Sequence, residues 1–541
     1  MLAGCTPWPE EFARRYREQG YWEGITLFEM LRRSAAAAPT RIAVVDGERR
    51  ATCRELLAHA EQLAAGLWQL GLRPQERVLF QLGNGLQFLA AFLALLRIGA
   101  IPVMVLPAHR RAEIAHFARH AQPVAHFVPA RSDKFDYPAL ARAAAAECAS
   151  LRAIVVDGEA PAGAHALADL RSAGAGPAAQ AALARVLEPP AGEVALMLLS
   201  GGTTGMPKLI PRTHDDYVYT ARRAGAAAGF GADTVFLAVL PMAHNYTLAC
   251  PGVLGTLAHG GTVVIAHGTA PEDVFPLLER ERVTAIGAAV PLAARWLQSG
   301  LFGRHDFSSL RSFINGGAKL APELRRRVEE RFGCTYQENF GTGEGLINMT
   351  RLDDPEEIRL YSSGRPISAA DEIRIVDERG AELPAGATGE LAVRGPNTVR
   401  GYYNAPEETA AAYTPEGFYR MGDVGRLVDG YIYLEGRRKE LINRGGEKFS
   451  GEEVENHVLA HPSVASACVV AMPDPAYGEK ACAFVILRQG CTLALPELVA
   501  FLRTRGIAHF KFPERLETVA EFPLSPAGKI LRRELRERLR R

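Results

Sequence analysis

The sequence predicts an α/β protein with a large N-terminal domain of two α/β layers plus a β-rich subdomain, followed by a small α+β C-terminal domain. Apolar helix-like and strand-like stretches alternate from Gly20 to about residue 190, and again from Asp233 to Phe332. From about residue 370 the pattern changes to short alternating strands divided by tight turns. The last part of the chain combines helix-like and strand-like stretches in a small unit of its own.

Each element follows from its local pattern. Phe12 and Tyr16 share one helical face in a charged segment that ends at Gly20. Helix-like Glu55 to Leu70 precedes a strand at Arg77 to Leu82. Helix-like Leu86 to Leu96 comes next, then a strand at Ile101 to Leu106, and parallel pairing is the natural outcome. Residues 140–190 are rich in alanine and glycine and read either as a linker or as surface helices and loops. The strand-like Leu151 to Val156 within them favours the second reading. The second run places strands at Asp233 to Leu240, Gly261 to Ala266 and Thr284 to Val290, then a helix with Leu324, Val328 and Phe332 at four-residue spacing. Turns at Asp377 to Gly380 and at Asp429-Gly430 mark the β-rich subdomain. The final unit reads as a helix at Glu452 to Ala460, strands at Val464 to Val470 and Ala481 to Leu487, and a helix at Pro496 to Arg503. The boundary falls near Lys439, giving domains 1–438 and 439–541.

The chain has 541 residues, 48% hydrophobic and 23% charged, enough for more than one core. Its 62 basic side chains nearly cancel 61 acidic ones, leaving +1, so no bulk field draws it to nucleic acid or to an anionic membrane. Any bound anion needs a local site. The cysteines (5, 53, 148, 250, 334, 468, 482 and 491) show no zinc-ligand spacing and fit free thiols in a reducing cytosol. Leu2-Ala3-Gly4-Cys5 has the form of a lipoprotein cleavage box, but no basic and apolar stretch precedes it. The most apolar run, Phe88 to Pro107, is broken by Arg97, Gly99, Pro102 and Pro107, which suits a buried helix and strand better than a membrane span. A cytoplasmic protein is expected.

The most informative stretch is Ser200-Gly201-Gly202-Thr203-Thr204-Gly205-Met206-Pro207-Lys208, directly after the apolar strand Val194 to Leu199. Glycines let backbone N–H groups approach phosphate oxygens, hydroxyls donate further hydrogen bonds, and a lysine adds positive charge. The spacing is not that of a Walker A loop, so the P-loop fold does not come with it. A flexible polar turn is the plain alternative, and the crowding of three functional residue types argues against it.

Further motifs follow in order: Gly316-Gly317-Ala318, Asn339-Phe340-Gly341-Thr342-Gly343-Glu344, Tyr419-Arg420-Met421-Gly422-Asp423, Gly436-Arg437-Arg438-Lys439-Glu440, Asn443-Arg444-Gly445-Gly446-Glu447-Lys448 and Pro523-Leu524-Ser525-Pro526-Ala527-Gly528-Lys529. With the glycine-hydroxyl loop, this series resembles the ANL adenylating superfamily of acyl-CoA synthetases, adenylation domains of nonribosomal peptide synthetases, and luciferases. The resemblance runs from about Leu27 to the end of the chain. It implies a large N-terminal domain, a small C-terminal domain that rotates, and ATP with Mg²⁺ as cofactors.

What the resemblance implies for single residues also makes chemical sense. The nucleotide would meet Ser200, Gly201, Gly202, Thr203, Thr204, Gly205 and Lys208, with Asn339, Gly341 and Thr342 beside it. Phe340 would pack on the adenine, and Gly316, Gly317 and Ala318 would form the other wall. Asp423 would hold the ribose hydroxyls with its two acceptor oxygens, and Arg437 would touch the ribose. A solvated hairpin aspartate is the alternative for Asp423. Glu344 would be the metal-side carboxylate, since one carboxylate plus phosphate oxygens and waters is a normal Mg²⁺ shell. Lys529 would be the catalytic lysine, joined by Lys208 and His244, although a lone lysine in such a loop is ordinarily solvated. Its ammonium would stabilise the negative charge that gathers as a carboxylate attacks the α-phosphorus. Lys439 matches the hinge position. Gly343, where relatives carry threonine, serine or alanine, and Met421, where they commonly carry threonine, depart from the pattern.

Amino-acid-activating relatives place an aspartate in the acid pocket, whereas this stretch reads Ala243-His244-Asn245-Tyr246. Together with Phe12 to Trp22, residues Pro241 to Gly252 resemble the stand-alone aryl-acid AMP ligases of siderophore biosynthesis, which implies a 2-hydroxybenzoic acid. Asn245 offers an amide to the ortho hydroxyl or the carboxylate, Tyr246 supplies an aromatic wall, and Gly316 and Gly341 leave space for a flat ring. His244 lines the entrance or is a satisfied structural histidine; Leu346 completes the substrate set. Catechol-activating relatives tend to have serine where this chain has Cys250. A thiol bonds a second ring hydroxyl weakly, which favours salicylate over 2,3-dihydroxybenzoate. The other reading makes Cys250 a small core residue without bearing on specificity. Only a short tail follows Lys529, so the acceptor thiol is expected on a separate aryl carrier protein, with the Gly445, Gly446, Lys448 loop beside its pantetheine arm. Coenzyme A is the alternative acceptor. A scaffold with a degenerate site is disfavoured, because Lys208, Glu344, Asp423, Arg437 and Lys529 are all present.

Overall fold

The computed structural model describes residues 1–130, 134–200, 207–437, 440–444, 447–505, 507–525 and 529–539, with the side chain of Lys448 outside the description. Gly201 to Gly205, Lys439, Gly445 and Gly446 therefore lie outside the described residues.

Two large sheets form the N-terminal body. One has the strand order 165–166, 153–157, 125–129, 77–80, 101–104, 194–199, 209–213, parallel except for the last pair. The other has the order 365–366, 347–349, 335–341, 312–316, 285–288, 235–238, 262–265, 42–46, 49–52, parallel across its centre and antiparallel at both ends. The two layers are not consecutive in sequence. Strands Ile42–Asp46 and Arg49–Thr52, which the apolar alternation does not resolve, join the second sheet although they precede all of the first.

The helix Leu86–Arg97 is apolar on nearly every face because it is buried on nearly every face; only Gln87 and the terminal Arg97 are partly exposed. Arg97 turns its guanidinium to the carbonyls of Val186 and Leu183, which satisfies carbonyls after the helix Pro177–Leu183. Residues 137–183 form helices around the strand Ala153–Asp157, so the linker reading of this segment gives way to helices packed within one domain. No helix among the described residues is long and apolar enough to cross a membrane.

The β-rich part is a four-stranded antiparallel sheet of strands 372–376, 389–394, 419–428 and 431–437. Asp429 and Gly430, with φ of 50° and 79°, make the tight turn between the last two strands. The smaller C-terminal domain has a sheet of strands 447–450, 441–444, 478–487 and 464–474, with 515–518 added alongside 478–487. Helices Gly451–Leu459 and Leu495–Thr504 cover it, and Val454, Val458, Leu498 and Leu502 fill its core.

Candidate active site

The candidate residues converge at the carboxyl ends of the adjacent parallel strands Ser312–Gly316 and Thr335–Gly341, where Gly316 stands beside Asn339. In open α/β sheets this end is where ligands bind.

Ser200 and Lys208, on either side of the glycine-hydroxyl segment, bond to each other. The Ser200 N–H donates to the Lys208 carbonyl at 2.9 Å, and the Lys208 N–H donates to Ser200 Oγ at 2.9 Å. Lys208 Nζ lies over the ring of Tyr402, 4.9 Å from its centroid, and the Tyr402 hydroxyl donates to Glu344 Oε1 at 2.9 Å. Tyr402 thus links the loop's cation to the buried Glu344, a role no spacing in the sequence announces. Burial, then the charge of Glu344, pushes the Tyr402 hydroxyl up, so it remains a proton donor. Thr342 Oγ1 donates to the Gly345 carbonyl at 2.8 Å, which holds the turn before the next strand. A Cβ on Gly343 would stand 2.8 Å from Ile210 Cδ1, and the Gly343 carbonyl accepts from Arg212 Nη1 at 2.9 Å; glycine suits this crowded position.

Asp423 and Arg437 face each other across the hairpin of strands Tyr419–Val428 and Tyr431–Arg437. Arg437 Nε lies 3.2 Å from Asp423 Oδ1. The other carboxylate oxygen, Oδ2, is buried without a hydrogen-bond partner among the described residues. A buried acceptor left open in this way costs stability unless a ligand satisfies it. Burial pushes the Asp423 carboxyl up, against the pull of Arg437 and then Lys529. Lys529 reaches this group from the smaller domain; a Cβ on Gly317 would stand 3.6 Å from its Cε. Burial, followed by the charge of Arg437, holds its ammonium below the usual lysine range, while Asp423 and Glu344 oppose the shift.

The same ammonium acts on His244. Burial, then the charge of Lys529, holds the imidazole down to about 4, so His244 is neutral near pH 7. His244 heads the short helix Asn245–Ala249, and its ring nitrogen Nδ1 accepts from the Tyr246 N–H at 3.3 Å. Tyr246 is buried, and its hydroxyl donates to the Ile314 carbonyl at 2.7 Å. Asn245 Oδ1 accepts from the Tyr217 hydroxyl at 2.8 Å. Cys250 is buried, which pushes its thiol up to about 12 and keeps it protonated. Its carbonyl accepts from Asn339 Nδ2, tying the helix Asn245–Ala249 to the strand Thr335–Gly341.

Some sequence expectations change here. Gly316 and Gly341 do not leave open space for a flat ring. A Cβ on Gly316 would meet Tyr246 Cε2 at 2.6 Å, and one on Gly341 would meet Ile347 Cδ1 and the Leu346 carbonyl at 2.6 Å. Their smallness seats the protein's own walls. Leu346, expected at the substrate, is buried instead in the β-rich core with Ile375, Leu391, Tyr419, Met421 and Ile432, and half-buried Phe340 packs against that core. Met421 spends its side chain there, which accounts for an apolar residue at that position.

Two buried networks support the site and have no local signature. Asn315 Nδ2 donates to the Ala318 carbonyl at 2.8 Å and to Glu338 at 3.2 Å, and Glu338 pairs with Arg325 at 3.1 Å, bracing the Gly316-Gly317-Ala318 turn. Arg212 donates to Asp216, Thr220 and the carbonyls of Gly343 and Asn397.

A small domain that brings a lysine ammonium beside Gly317, after one of two adjacent parallel strands, with an open carboxylate on a neighbouring hairpin, is an arrangement that suits a two-domain α/β enzyme working on a nucleotide. Sequence comparison makes the class specific. The AMP-binding enzyme family matches residues 31–403 and its C-terminal domain matches residues 453–529; the chain belongs to this family, the ANL adenylating superfamily. It is 47% identical to the 2,3-dihydroxybenzoate-AMP ligase of Bacillus subtilis, covering 99% of this chain and 98% of the relative. It is 46% identical to a salicylyl-CoA synthase / salicylate adenylyltransferase of Streptomyces sp, over 99% and 98%. The apo structure of Mycobacterium smegmatis MbtA matches at a TM-score of 0.75 and 42% identity, covering 99% of each chain.

Proposed function

We propose that this enzyme uses ATP to convert an aryl acid, salicylate in the first instance, to its acyl-adenylate, and then passes the acyl group to the phosphopantetheine thiol of a separate aryl carrier protein in siderophore biosynthesis. The observation that carries the reading is the position of Lys529. One ammonium acts both on Asp423, Arg437 and Glu344 and on His244 at the head of the Asn245–Ala249 helix. An acid lying against that helix and a nucleotide lying on Asp423 would meet at this charge.

In the reaction a carboxylate oxygen forms a bond to the α-phosphorus, the bond from that phosphorus to the bridging oxygen breaks, and pyrophosphate leaves with the electron pair. Lys529 stabilises the charge that develops on the phosphoryl oxygens. Asp423 Oδ2 takes the ribose hydroxyls, which supply its missing donors. Lys208 and the loop it closes hold the outer phosphates. His244, neutral near pH 7, adds no second positive charge to compete with Lys529 for the acid carboxylate. Glu344, with one carboxylate oxygen taken by Tyr402 and the other open among the described residues, would hold Mg²⁺, and the ion would supply further neutralisation of the triphosphate charge.

Asn245 and Tyr246 form the acid pocket, and the absence of a carboxylate between Ala243 and Tyr246 supports an acid without an α-ammonium. Cys250, a protonated thiol beside Asn245, favours salicylate over 2,3-dihydroxybenzoate. The large domain spans 1–438 and the mobile one 439–541, with Lys439 as hinge and Gly445, Gly446 and Lys448 facing the pantetheine arm. The free thiols suit a cytoplasmic setting. The Streptomyces relative, whose name includes a CoA synthase, supports coenzyme A as the second acceptor.

The test is acid-dependent exchange of labelled pyrophosphate into ATP with salicylate, 2,3-dihydroxybenzoate, benzoate, and amino and fatty acids in parallel. Selective exchange with salicylate is expected, and exchange with none of the aryl acids would refute the reading. Cys250→Ser is expected to shift the salicylate-to-dihydroxybenzoate ratio toward the catechol, and an unchanged ratio would remove Cys250 from specificity. Thioester formation on a phosphopantetheinylated carrier and on coenzyme A, compared at equal concentration, separates the acceptors.

A further inference from the structure

We infer that Tyr217 is a positioning residue that fixes which face of the Asn245 amide meets the acid, and so restricts the enzyme to acids carrying a hydrogen-bond acceptor at the ortho position. This rests on the proposed assignment of Asn245 to the acid pocket.

Tyr217 is fully buried in the helix His214–Ala227, and its hydroxyl donates to Asn245 Oδ1 at 2.8 Å. The tyrosine cannot swing away. The Arg212 guanidinium lies over its ring, 5.0 Å from the centroid. Arg212 is itself held by Asp216 Oδ1 at 2.7 Å, Thr220 Oγ1 at 3.2 Å, and the carbonyls of Gly343 at 2.9 Å and Asn397 at 3.1 Å. Burial pushes the Tyr217 hydroxyl far above its usual range, so it stays protonated and keeps donating. With Oδ1 engaged, the amide presents its N–H groups elsewhere; one side meets the Cys250 sulfur, and Asn245 is only partly buried, which leaves an N–H for a ligand.

An N–H facing the ortho position selects by chemistry. A phenolic oxygen at that position accepts from Asn245 while its own hydrogen bonds the adjacent carboxylate. An ortho amino group brings N–H against N–H, and its nitrogen lone pair, delocalised into the ring, accepts poorly. An amide turned the other way would reverse the preference, because Oδ1 would then receive the amino group. Without the Tyr217 hydroxyl, nothing described on that side of Asn245 sets the amide's orientation. A mismatched or unpaired polar group in a closed pocket commonly costs tenfold or more in discrimination.

The test uses the full-length enzyme and pyrophosphate exchange with salicylate, benzoate and anthranilate (2-aminobenzoate), before and after Tyr217→Phe. In the unsubstituted enzyme salicylate is expected to exceed anthranilate in kcat/KM by at least about tenfold. Tyr217→Phe should raise KM for salicylate, leave benzoate nearly unchanged, and move the salicylate-to-anthranilate ratio toward anthranilate by about tenfold. A uniform loss across the three acids, or an unchanged ratio, would overturn the inference, because a merely structural role for Tyr217 would produce that result. Should Tyr217→Phe not fold, the unsubstituted enzyme still decides, since equal turnover of salicylate and anthranilate contradicts a fixed N–H at the ortho position. Exchange with no aryl acid at all would overturn the proposed function, and this inference with it.

Discussion

Replacing Gly316 by alanine adds one methyl group to the point where the sheet meets the helix Asn245–Ala249 of the proposed acid pocket. Gly316 has no positive φ, unlike Gly317 beside it at 91°, so the backbone accepts alanine and the contact is the whole cost. The new Cβ would stand 2.6 Å from Tyr246 Cε2 and 2.8 Å from both Cδ2 and Cζ. The ring cannot retreat freely, because its hydroxyl is held on the Ile314 carbonyl at 2.7 Å and a Cβ's width at Gly287 is already occupied by that hydroxyl at 3.2 Å. Overpacking of this kind costs about 1–3 kcal/mol, and pulling the hydroxyl off its carbonyl adds roughly 1 kcal/mol. The expected result is a loss of about 2–4 kcal/mol in urea unfolding at unchanged m-value, with a rise in KM for the acid of about tenfold or more and a smaller change in KM for ATP. A variant with the parental urea midpoint and the parental acid KM would show that Tyr246 does not fill this space.

Lys529→Ala is expected to lower pyrophosphate exchange by at least about 10²-fold while leaving the urea midpoint and nucleotide affinity by calorimetry nearly unchanged; turnover close to parental would remove Lys529 from the chemistry. Asp423→Asn keeps the shape but halves the acceptor capacity, so KM for ATP should rise roughly tenfold with little change in KM for the acid, and equal effects on both would argue against a ribose contact. The buried histidines should lose their share of stability as pH is lowered from about 6.5 toward 4. His126 and His214 are held down to about 3 and His109 to about 4, chiefly by burial, so in this window each ring takes up its proton more readily in the unfolded chain, while Asp371, pushed up to about 8 by burial, works the other way. Each histidine contributes a slope of at most about 1.4 kcal/mol per pH unit, read as the difference in urea midpoint between the parent and His126→Gln at about pH 7.5 and at about pH 5; a difference that does not change with pH would mean that this ring is protonated in the fold.

What the sequence showed and what it hid divide along a physical line. Strands such as Val194–Leu199 and helices such as Leu86–Arg97 and Pro322–Phe332 were legible, because apolar periodicity is local. So were the motifs that carry Asp423, Lys529 and Glu344, whose residue types and spacing survive without coordinates. Pairing of Ile42–Asp46 with Thr262–Ile265 was not legible, since no local pattern says which sheet a strand joins. The bonds of Tyr402 to Glu344, of Tyr217 to Asn245 and of Arg212 to the Gly343 carbonyl were likewise invisible, because these partners lie far away in the chain and meet only after folding. The glycines at 316 and 341 misled for a related reason: a missing side chain signals closeness but not to what.

The partners of Arg212 have a consequence for how such an enzyme changes its diet. One guanidinium fastens the helix that bears Tyr217 to the carbonyl next door to Glu344, so any substitution that loosens this wall of the proposed acid pocket would also disturb the proposed phosphate end. Cys250 follows the opposite short helix, and its bond to the strand Thr335–Gly341 is made through its backbone carbonyl, which a change of side chain leaves in place. Descendants acquiring a new ring acid would therefore be free to vary at position 250 and confined at 217. The pocket has one wall that can be redecorated and one that is part of the building.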